Sequence, residues 1–143
     1  IYAGLGDNGR ALEDFNAATK INPNHEKSFL ERGVIKSKQN QLTQALDDFS
    51  NALELDPKDA AVYNNRGIVY KKIGQWELAL ADYNRALALN PRSAQAYVNR
   101  SSVGKELKRY DEAFNDIQKA QELSFPVDPG YLLELKTLSS KNP

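Results

Sequence analysis

The sequence predicts an all-α fold in which helical hairpins stack side by side to form a solenoid. Three observations lead to this prediction. Similar residue types recur every 34 residues along the chain, apolar residues within each repeat follow helical spacing, and prolines and glycines mark the ends of the helical segments. Repeats of this kind bury their apolar surface by stacking on their neighbours.

The 34-residue period appears as columns of small, aromatic and aliphatic residues. Each unit carries two small residues with a large one between them, followed by an aliphatic residue. These columns are Ala11, Ala45, Ala79 and Ala113; Phe15, Phe49, Tyr83 and Ile117; Ala18, Ala52, Ala86 and Ala120; and Ile21, Leu55, Leu89 and Leu123. Upstream, an aromatic column precedes a small one: Phe29, Tyr63, Tyr97 and Tyr131, then Gly33, Gly67 and Ser101. Small residues let helix backbones approach each other, and large residues fill the remaining space.

Each repeat is predicted to form two antiparallel helices. Tyr63 and Gly67 lie on one face of a first helix, and Tyr83 and Ala86 lie on one face of a second. Between them, Gly74 suits a left-handed helix end. An Asn-Pro or Asp-Pro pair then ends the second helix, because proline lacks the amide and constrains the residue before it. We expect helices of about 13 residues joined by short turns.

This order of residues resembles the tetratricopeptide repeat, in which an aromatic and a small residue precede a second aromatic and then Ala, aromatic, Ala and Pro. Residues 60–91 read AAVYNNRGIVYKKIGQWELALADYNRALALNP. The resemblance covers nearly the whole chain and implies a right-handed α-solenoid, an α–α superhelix, that forms one domain. The expected divisions are a truncated repeat at 1–25, full repeats at 26–59, 60–93 and 94–127, and a C-terminal capping helix at 128–143. The first residue is Ile1, and we expect the chain to be part of a longer protein.

The capping helix is expected to begin at Asp128-Pro129. Aspartate is a good N-cap, and proline suits the first turn of a helix. The apolar residues that would cover the edge of the last hairpin are Tyr131, Leu132, Leu135 and Leu138.

Two charged columns depart from the family pattern. Arginine stands just before each small residue, where the family usually has an aliphatic residue, and aspartate recurs in the second helices. The columns are Arg32, Arg66 and Arg100, and Asp14, Asp48, Asp82 and Asp116. Their common period predicts Arg–Asp pairs within or between hairpins. A row of ligand-binding arginines is the alternative interpretation.

In the family, the first helices of the hairpins line a concave face where ligands usually lie. The resemblance therefore implies a peptide-binding surface made of an apolar strip, a set of amides and a lysine edge. Its members are Leu30, Val34, Ile68 and Val98; Asn64, Asn65 and Asn99; and Lys38, Lys71, Lys72 and Lys105. Carboxamides can bind both the N–H and the C=O of an extended peptide, and lysines attract carboxylates. The alternatives are that the asparagines hydrogen-bond between adjacent hairpins and that the lysines form a solvated face.

The expected function is that of a protein–protein interaction module, an adaptor that binds an extended or helical segment of a partner protein. One alternative is the substrate-recruiting arm of a larger, glycosyltransferase-like enzyme. This rests on the similarity of the asparagine column to the ladder in superhelices attached to sugar-transferring enzymes. Another is a self-assembling scaffold that associates through the truncated first repeat. A clamp for a chaperone tail is not expected, because only Asn65 matches the positions that such clamps use.

Composition argues against several other classes of function. Nineteen Lys and Arg balance nineteen Asp and Glu, whereas nucleic acid or an anionic membrane attracts a strong positive bias. No apolar run is long enough for membrane insertion, and the absence of cysteine excludes disulfides and thiolate metal sites. His25, the only histidine, has no nucleophile or metal ligands arranged around it. We therefore expect no enzymatic activity, no cofactor and no metal site.

Overall fold

A computed structural model describes the backbone of residues 3–141 and the side chains of residues 7–141. Within that range the chain forms eight α-helices and no strand, so the predicted all-α fold is confirmed. The helices are α1 (Ala3–Ile21), α2 (Glu26–Lys38), α3 (Leu42–Leu55), α4 (Ala60–Lys72), α5 (Trp76–Leu89), α6 (Ala94–Glu106), α7 (Tyr110–Glu122) and α8 (Pro129–Lys141). The expected domain limits at residues 1 and 143 lie outside the described part of the chain.

The helices pack as consecutive antiparallel hairpins. The closest packing is within the pairs α2–α3, α4–α5 and α6–α7, and each hairpin also contacts the helix that comes before or after it in the chain. In addition, α2 contacts α4 and α4 contacts α6. The first helices of the three hairpins therefore lie side by side on one face of the stack.

The turn inside each hairpin has the same backbone conformation. Asn40, Gly74 and Lys108 have φ angles of 61°, 74° and 59°, in the left-handed region. The amide of the next residue then reaches back to close the helix, as in the 2.9 Å bond from the Gln75 amide to the Tyr70 carbonyl oxygen. The sequence prediction at Gly74 is thus confirmed. Asn40 and Lys108 adopt the same conformation with a Cβ present, so the geometry does not depend on glycine.

Small residues in the first helices make room for large residues in the second helices. A Cβ added to Gly33 would lie 2.7 Å from the ring of Phe49, and one added to Gly67 would lie 2.8 Å from the ring of Tyr83. Both rings are fully buried. The Tyr83 hydroxyl has no hydrogen-bond partner among the described residues, and burial, followed by the charge of Asp82, raises its pKa. The side chain of Tyr83 therefore contributes to stability through the packing of its ring.

The third hairpin varies this arrangement. At the equivalent positions it carries Ser101 and Ile117, both buried. Ser101 Oγ donates to the Ala113 carbonyl oxygen at 2.8 Å. Compared with the second hairpin, Ile117 is thus smaller than Tyr83 in the second helix, and Ser101 is slightly larger than Gly67 in the first helix.

The predicted Arg–Asp pairs are present within the hairpins. Each arginine donates through two nitrogens to both carboxylate oxygens of an aspartate sixteen residues later, a bidentate geometry. The distances from Nε and Nη2 are 2.9 and 2.6 Å for Arg32–Asp48, 2.8 and 2.8 Å for Arg66–Asp82, and 2.8 and 2.7 Å for Arg100–Asp116. All three aspartates are buried.

The third arginine nitrogen links each hairpin to the second helix before it. Nη1 donates to a side-chain oxygen of a residue sixteen positions earlier in the chain. The acceptors are Asn16 Oδ1 at 3.1 Å for Arg32, Ser50 Oγ at 3.4 Å for Arg66 and Asn84 Oδ1 at 3.0 Å for Arg100. The arginine column therefore connects helices within a hairpin and across the boundary between hairpins.

Helix α8 packs on the last hairpin but does not continue the arginine column. Leu135 is fully buried and belongs to the same apolar cluster as Tyr131 and Leu132. Glu134 occupies the position 34 residues after Arg100. It forms an ion pair with Lys105, with 2.7 Å between Oε1 and Nζ. The charge pattern of the stack is therefore reversed at this end.

We expect Gly67 and Tyr83 to be energetically coupled. Gly67→Ser should lower the free energy of unfolding by about 1–3 kcal/mol, because the added atoms overpack the ring of Tyr83. The double variant Gly67→Ser/Tyr83→Ile reproduces the pair found at Ser101 and Ile117, and it should lose less stability than the two single variants together. A denaturant double-mutant cycle measures this coupling. Additive losses would contradict the packing described.

Candidate functional site

A cavity of about 220 Å³ lies between α2 and α4, on the face formed by the first helices. Two helices contribute most of its wall, and the ring of Phe49 from α3 lies behind them. The lining residues are Val34, Ser37, Lys38, Phe49, Asn65, Ile68 and Lys72. We call this cavity the α2–α4 groove.

The groove brings together five of the eleven residues predicted from the sequence to bind a peptide. Val34 and Ile68 supply apolar surface, and Asn65 supplies an amide. Lys38 and Lys72 are exposed at the ends of their helices. These lysines are 34 residues apart and hold the same place in successive repeats. The arrangement combines an apolar floor, one carboxamide and two positive charges.

The three predicted asparagines differ in what they contact. Asn99 is 6% exposed. Its Nδ2 donates to Asn64 Oδ1 at 3.2 Å, and its Oδ1 accepts from Gln95 Nε2 at 3.3 Å. This geometry matches the alternative in which asparagines join adjacent hairpins. Asn65, by contrast, has no side-chain hydrogen bond to any described residue, so its amide is available to a ligand.

Lys71 and Lys105 do not line the α2–α4 groove. Lys71 is half-buried, and burial, followed by the charge of Lys72, lowers its pKa. Lys105 pairs with Glu134 and lies 5.4 Å from the ring centre of Tyr131. The hydrogen bond that Lys105 donates to Glu134 raises the pKa of Lys105. Lys105 is thus already engaged by α8.

The two remaining apolar residues of the predicted strip pack against different parts of the core. Leu30 contacts the cluster around Phe49, and Val98 contacts the cluster that includes Ile117 and Leu135. Neither residue lines the α2–α4 groove. The apolar strip is therefore distributed along the stack rather than gathered at one point.

Sequence reasoning missed Ser37 as a groove residue. Ser37 is buried and holds the repeat position of Lys71 and Lys105. Comparing this repeat position along the sequence shows that the first full repeat has a serine where the next two repeats have a lysine. A space between Lys38 and Lys72 results from this replacement.

Another cavity, of about 290 Å³, lies mainly between the second helices α5 and α7. Leu80 and Asn84 of α5 line it, together with five polar residues from α6, α7 and the turn between them, among them Arg100 and Asp116. These two side chains pair with each other, and Arg100 also donates to Asn84. Arg100 and Asp116 are therefore committed to holding helices together, which makes this cavity a weaker candidate for ligand binding.

The sequence analysis also did not single out Glu26, an acidic residue at the start of α2. Glu26 holds the position that alanine holds at Ala60 and Ala94. Its Oε1 atom is shielded from solvent and has no partner among the described residues. Burial, followed by the charges of Asp59 and Asp56, raises its pKa.

Two kinds of feature are absent from residues 3–141. No helix in that range is long and apolar enough to cross a membrane. No group of three or more His, Cys, Asp or Glu side chains is placed there to hold a metal ion.

Family models of the tetratricopeptide repeat match most of the chain. Two models described as tetratricopeptide repeat match residues 60–93 and residues 1–25 with 94–125, and one described as TPR repeat matches residues 35–74. Among curated proteins, none matches this chain significantly.

Solved structures of tetratricopeptide proteins are similar to this chain. The MamA protein has a TM-score of 0.81 at 22% identity, over 96% of this chain and 78% of that one. The first TPR of Spaghetti (RPAP3), bound to the HSP90 peptide SRMEEVD, has a TM-score of 0.73 at 27% identity, over 81% and 91%. The Arabidopsis OM64 TPR domain has a TM-score of 0.72 at 26% identity, over 79% and 93%.

We expect Glu26→Gln to stabilise the protein at neutral pH. The pKa of Glu26 in the folded state is raised above its ordinary value of 4.5. The folded state therefore binds the proton more tightly than the unfolded state, and stability falls as pH rises through the interval between the two pKa values. The gain from Glu26→Gln should be full above the folded-state pKa and should shrink toward pH 4.5 and below.

Denaturant unfolding at a series of pH values measures this effect. Glu54→Gln is the matched control, because Glu54 is an exposed carboxylate in α3. A gain for Glu26→Gln that does not change with pH would contradict the electrostatic explanation.

Proposed function

Because this chain belongs to the tetratricopeptide repeat family, we propose that it is a non-enzymatic adaptor that binds an extended or helical segment of a partner protein. The α2–α4 groove is the observation that carries the proposal. Apolar surface, a free carboxamide and two lysines meet there within one cavity of about 220 Å³. Pockets that bind ligands typically combine apolar walls with a few polar groups that set orientation.

The apolar part of the groove supplies the anchor. Val34, Ile68 and the ring of Phe49 offer a surface that an aliphatic side chain of the partner would cover. Burying a Val or Leu side chain stabilises a complex by about 1.5–3 kcal/mol. In protein interfaces a few residues near the centre carry most of the binding energy, and the contacts around them exclude water.

Asn65 is the residue best suited to bind the peptide backbone. Its Oδ1 can accept from a backbone N–H while its Nδ2 donates to a carbonyl oxygen. Asn64 and Asn99 remain in the proposed surface as its neighbours, but they bond to each other. Because Asn65 would bind the backbone of the peptide, it would accept peptides with many different side chains. The adjacent apolar surface would select among those side chains.

The two lysines favour an acidic partner segment. Lys38 and Lys72 are exposed beside the groove. The HSP90 peptide bound by the RPAP3 repeat contains acidic residues next to apolar ones. A ligand of that general character suits this groove. A chaperone-tail clamp is not proposed, because the clamp positions hold Leu30, Val34, Gln95 and Asn99 in addition to Asn65.

The boundaries of the repeats also belong to the proposal. We propose one domain with a truncated repeat at 1–25, full repeats at 26–59, 60–93 and 94–127, and a capping helix at 128–143. The packing of Tyr131, Leu132 and Leu135 against the last hairpin supports the capping role.

Two alternatives from the sequence stay predictions. The substrate-recruiting arm of a larger enzyme requires a catalytic domain outside residues 1–143. Self-association through the first repeat depends on the surface of α1.

Peptides selected on this chain from a random display library should carry an acidic residue beside an apolar one. Lys38→Glu/Lys72→Glu should weaken their binding by about tenfold or more. Each lysine contributes only a small attraction to an acidic peptide, but each substitution replaces that attraction with repulsion. Asn65→Ala should weaken it by about fivefold through the lost hydrogen bonds. Fluorescence anisotropy with labelled peptides measures both effects.

Matched controls lie outside the groove. Lys58→Glu changes the charge at an exposed turn, and Asn51→Ala removes an exposed amide from α3. Selected peptides that bind the groove variants and the wild type equally well would contradict the proposed site.

A further inference from the structure

A cavity of about 170 Å³ lies at the junction between the second and third hairpins. It is bounded by the start of α4, the end of α5 and the turn that leads into α6. None of its residues lines the α2–α4 groove. We call this cavity the junction pocket, and its lining residues are Ala60, Ala61, Asn64, Ala86, Asn90 and Ser93.

The three polar side chains of the junction pocket already use their oxygen atoms as acceptors. Asn90 Oδ1 accepts from the backbone amide two residues later at 3.2 Å, and Ser93 Oγ accepts from the amide three residues later at 3.3 Å. Asn64 Oδ1 accepts from Asn99 Nδ2 at 3.2 Å. The N–H and O–H groups of the three side chains donate to no described residue. These free donors suit a ligand that only accepts hydrogen bonds, such as an ionised carboxylate.

The equivalent space in the preceding repeat is taken by a carboxyl group of the chain itself. Glu26 holds the repeat position of Ala60, and its Oε1 atom is shielded from solvent. The carboxyl group lies close to Asp59 and Asp56, which flank the turn before α4. The fold therefore already accommodates a carboxyl group at one of its junctions.

The junction pocket differs from this counterpart in space and in charge. An alanine in place of the glutamate leaves the space empty. Burial, followed by the charges of Asp59 and Asp56, raises the pKa of Glu26. At the junction pocket, Ser93 and Asn90 stand in place of those two aspartates. An ionised carboxylate would therefore meet neutral donors there instead of the like charges that surround Glu26.

The third hairpin carries apolar residues at the equivalent positions. Val98 and Val127 hold the repeat positions of Asn64 and Ser93. Both valines pack in the apolar cluster that includes Leu135. Of the three full hairpins, the second thus has neither acidic residues nor valines at these places. The donor-lined pocket is a property of this hairpin rather than of the repeat.

The size of the junction pocket suits one carboxylate group. A water molecule takes up about 30 Å³ of liquid, so a volume of about 170 Å³ has room for a carboxylate and a short alkyl stem. The nearest acidic residue in the sequence, Asp59, does not line the pocket. Its Oδ1 atom caps α4 by accepting from the Ala61 amide at 2.8 Å.

We propose that the junction pocket binds a carboxylate, which receives hydrogen bonds from Asn64 Nδ2, Asn90 Nδ2 and the Ser93 hydroxyl. The carboxylate belongs to an acidic side chain or to the chain terminus of a partner. The site is separate from the α2–α4 groove, because Ala60 and Lys72 are at opposite ends of α4, about 18 Å apart. The proposal therefore does not depend on ligand binding in that groove.

Acetate is the first probe, because it supplies a carboxylate and little else. In nitrogen–proton NMR spectra of the 143-residue chain at constant ionic strength, acetate should shift the side-chain NH₂ signals of Asn64 and Asn90 along one saturable curve. Acetamide has nearly the same shape without the charge. It should bind about tenfold more weakly or worse, since hydrogen bonds to charged groups are the stronger ones.

Ala60→Glu tests whether the pocket is the site of binding. The substitution gives this repeat the residue that the preceding repeat has at Glu26. The new side chain should fill the pocket from within, and the affinity for acetate should fall by about tenfold or more. Lys58→Glu is the matched control, because it adds the same charge at an exposed turn outside the pocket and should leave acetate binding nearly unchanged.

Asn90→Asp/Ser93→Asp tests the role of the donors. In the preceding repeat Asp56 and Asp59 accept from backbone amides at 2.9 and 2.8 Å, so aspartates make the same kind of turn and cap contacts there. The double variant should therefore fold, which circular dichroism checks. Its affinity for acetate should also fall by about tenfold or more, because donors are replaced by like charges.

Two peptides distinguish the sources of the carboxylate. One is a short alanine peptide with a central glutamate and both ends blocked, and the other is an alanine peptide with a free carboxyl terminus. Tighter binding of the first assigns the pocket to an acidic side chain, and tighter binding of the second assigns it to a chain terminus. A blocked peptide with glutamine in place of glutamate is the control and should bind more weakly than both.

Four results would overturn the proposal. They are the absence of a saturable shift up to about 0.1 M acetate, equal affinity for acetate and acetamide, acetate binding that persists in Ala60→Glu, and loss of acetate binding in Lys38→Glu/Lys72→Glu. The last result would mean that acetate is attracted by the lysines of the α2–α4 groove. Because acetate binding should survive in that variant, failure of the groove and failure of the junction pocket are distinguishable.

Discussion

The structure depends on a constant separation of sixteen residues between partners that face each other within a hairpin. Arg66 and Asp82 have this separation, and so do Gly67 and Tyr83. A buried aspartate is costly unless it is paired, and a bidentate arginine tolerates little change in position. The ion pair therefore opposes sliding of one helix along the other, while the small residue beside it sets how closely the two backbones approach.

Repetition of this contact produces the surface on which function depends. Because each arginine also reaches the preceding second helix, successive hairpins adopt the same relation to each other. The first helices consequently lie side by side, and Lys38 and Lys72, which are equivalent in sequence, meet at one groove. The same rule shows where the stack changes: at α8, where Glu134 replaces arginine, and at α1, where Asp14 lacks its partner among the described residues.

The sequence predicted the fold and the Arg–Asp pairs because both follow from periodicity, and periodicity requires no knowledge of side-chain direction. The residues of the candidate site were harder to predict from the sequence. Asn65 and Asn99 share a column, yet Asn99 is buried against Asn64, because position 64 carries an amide while the matching position in the preceding repeat is Leu30. Lys105 resembles Lys71 in sequence, but only Lys105 lies near Glu134. Such differences depend on neighbours from other helices, which a repeat pattern alone does not specify.

A double-mutant cycle on Arg66 and Asp82 tests the central claim most directly. Denaturant unfolding of Arg66→Ala, Asp82→Ala and the double variant gives the coupling between the two side chains. Each single variant should lose about 3 kcal/mol, since it leaves its partner's charge poorly compensated, and the double variant should lose much less than the sum. If the double variant loses the full sum, the pair does not hold the hairpin in register and the account is wrong.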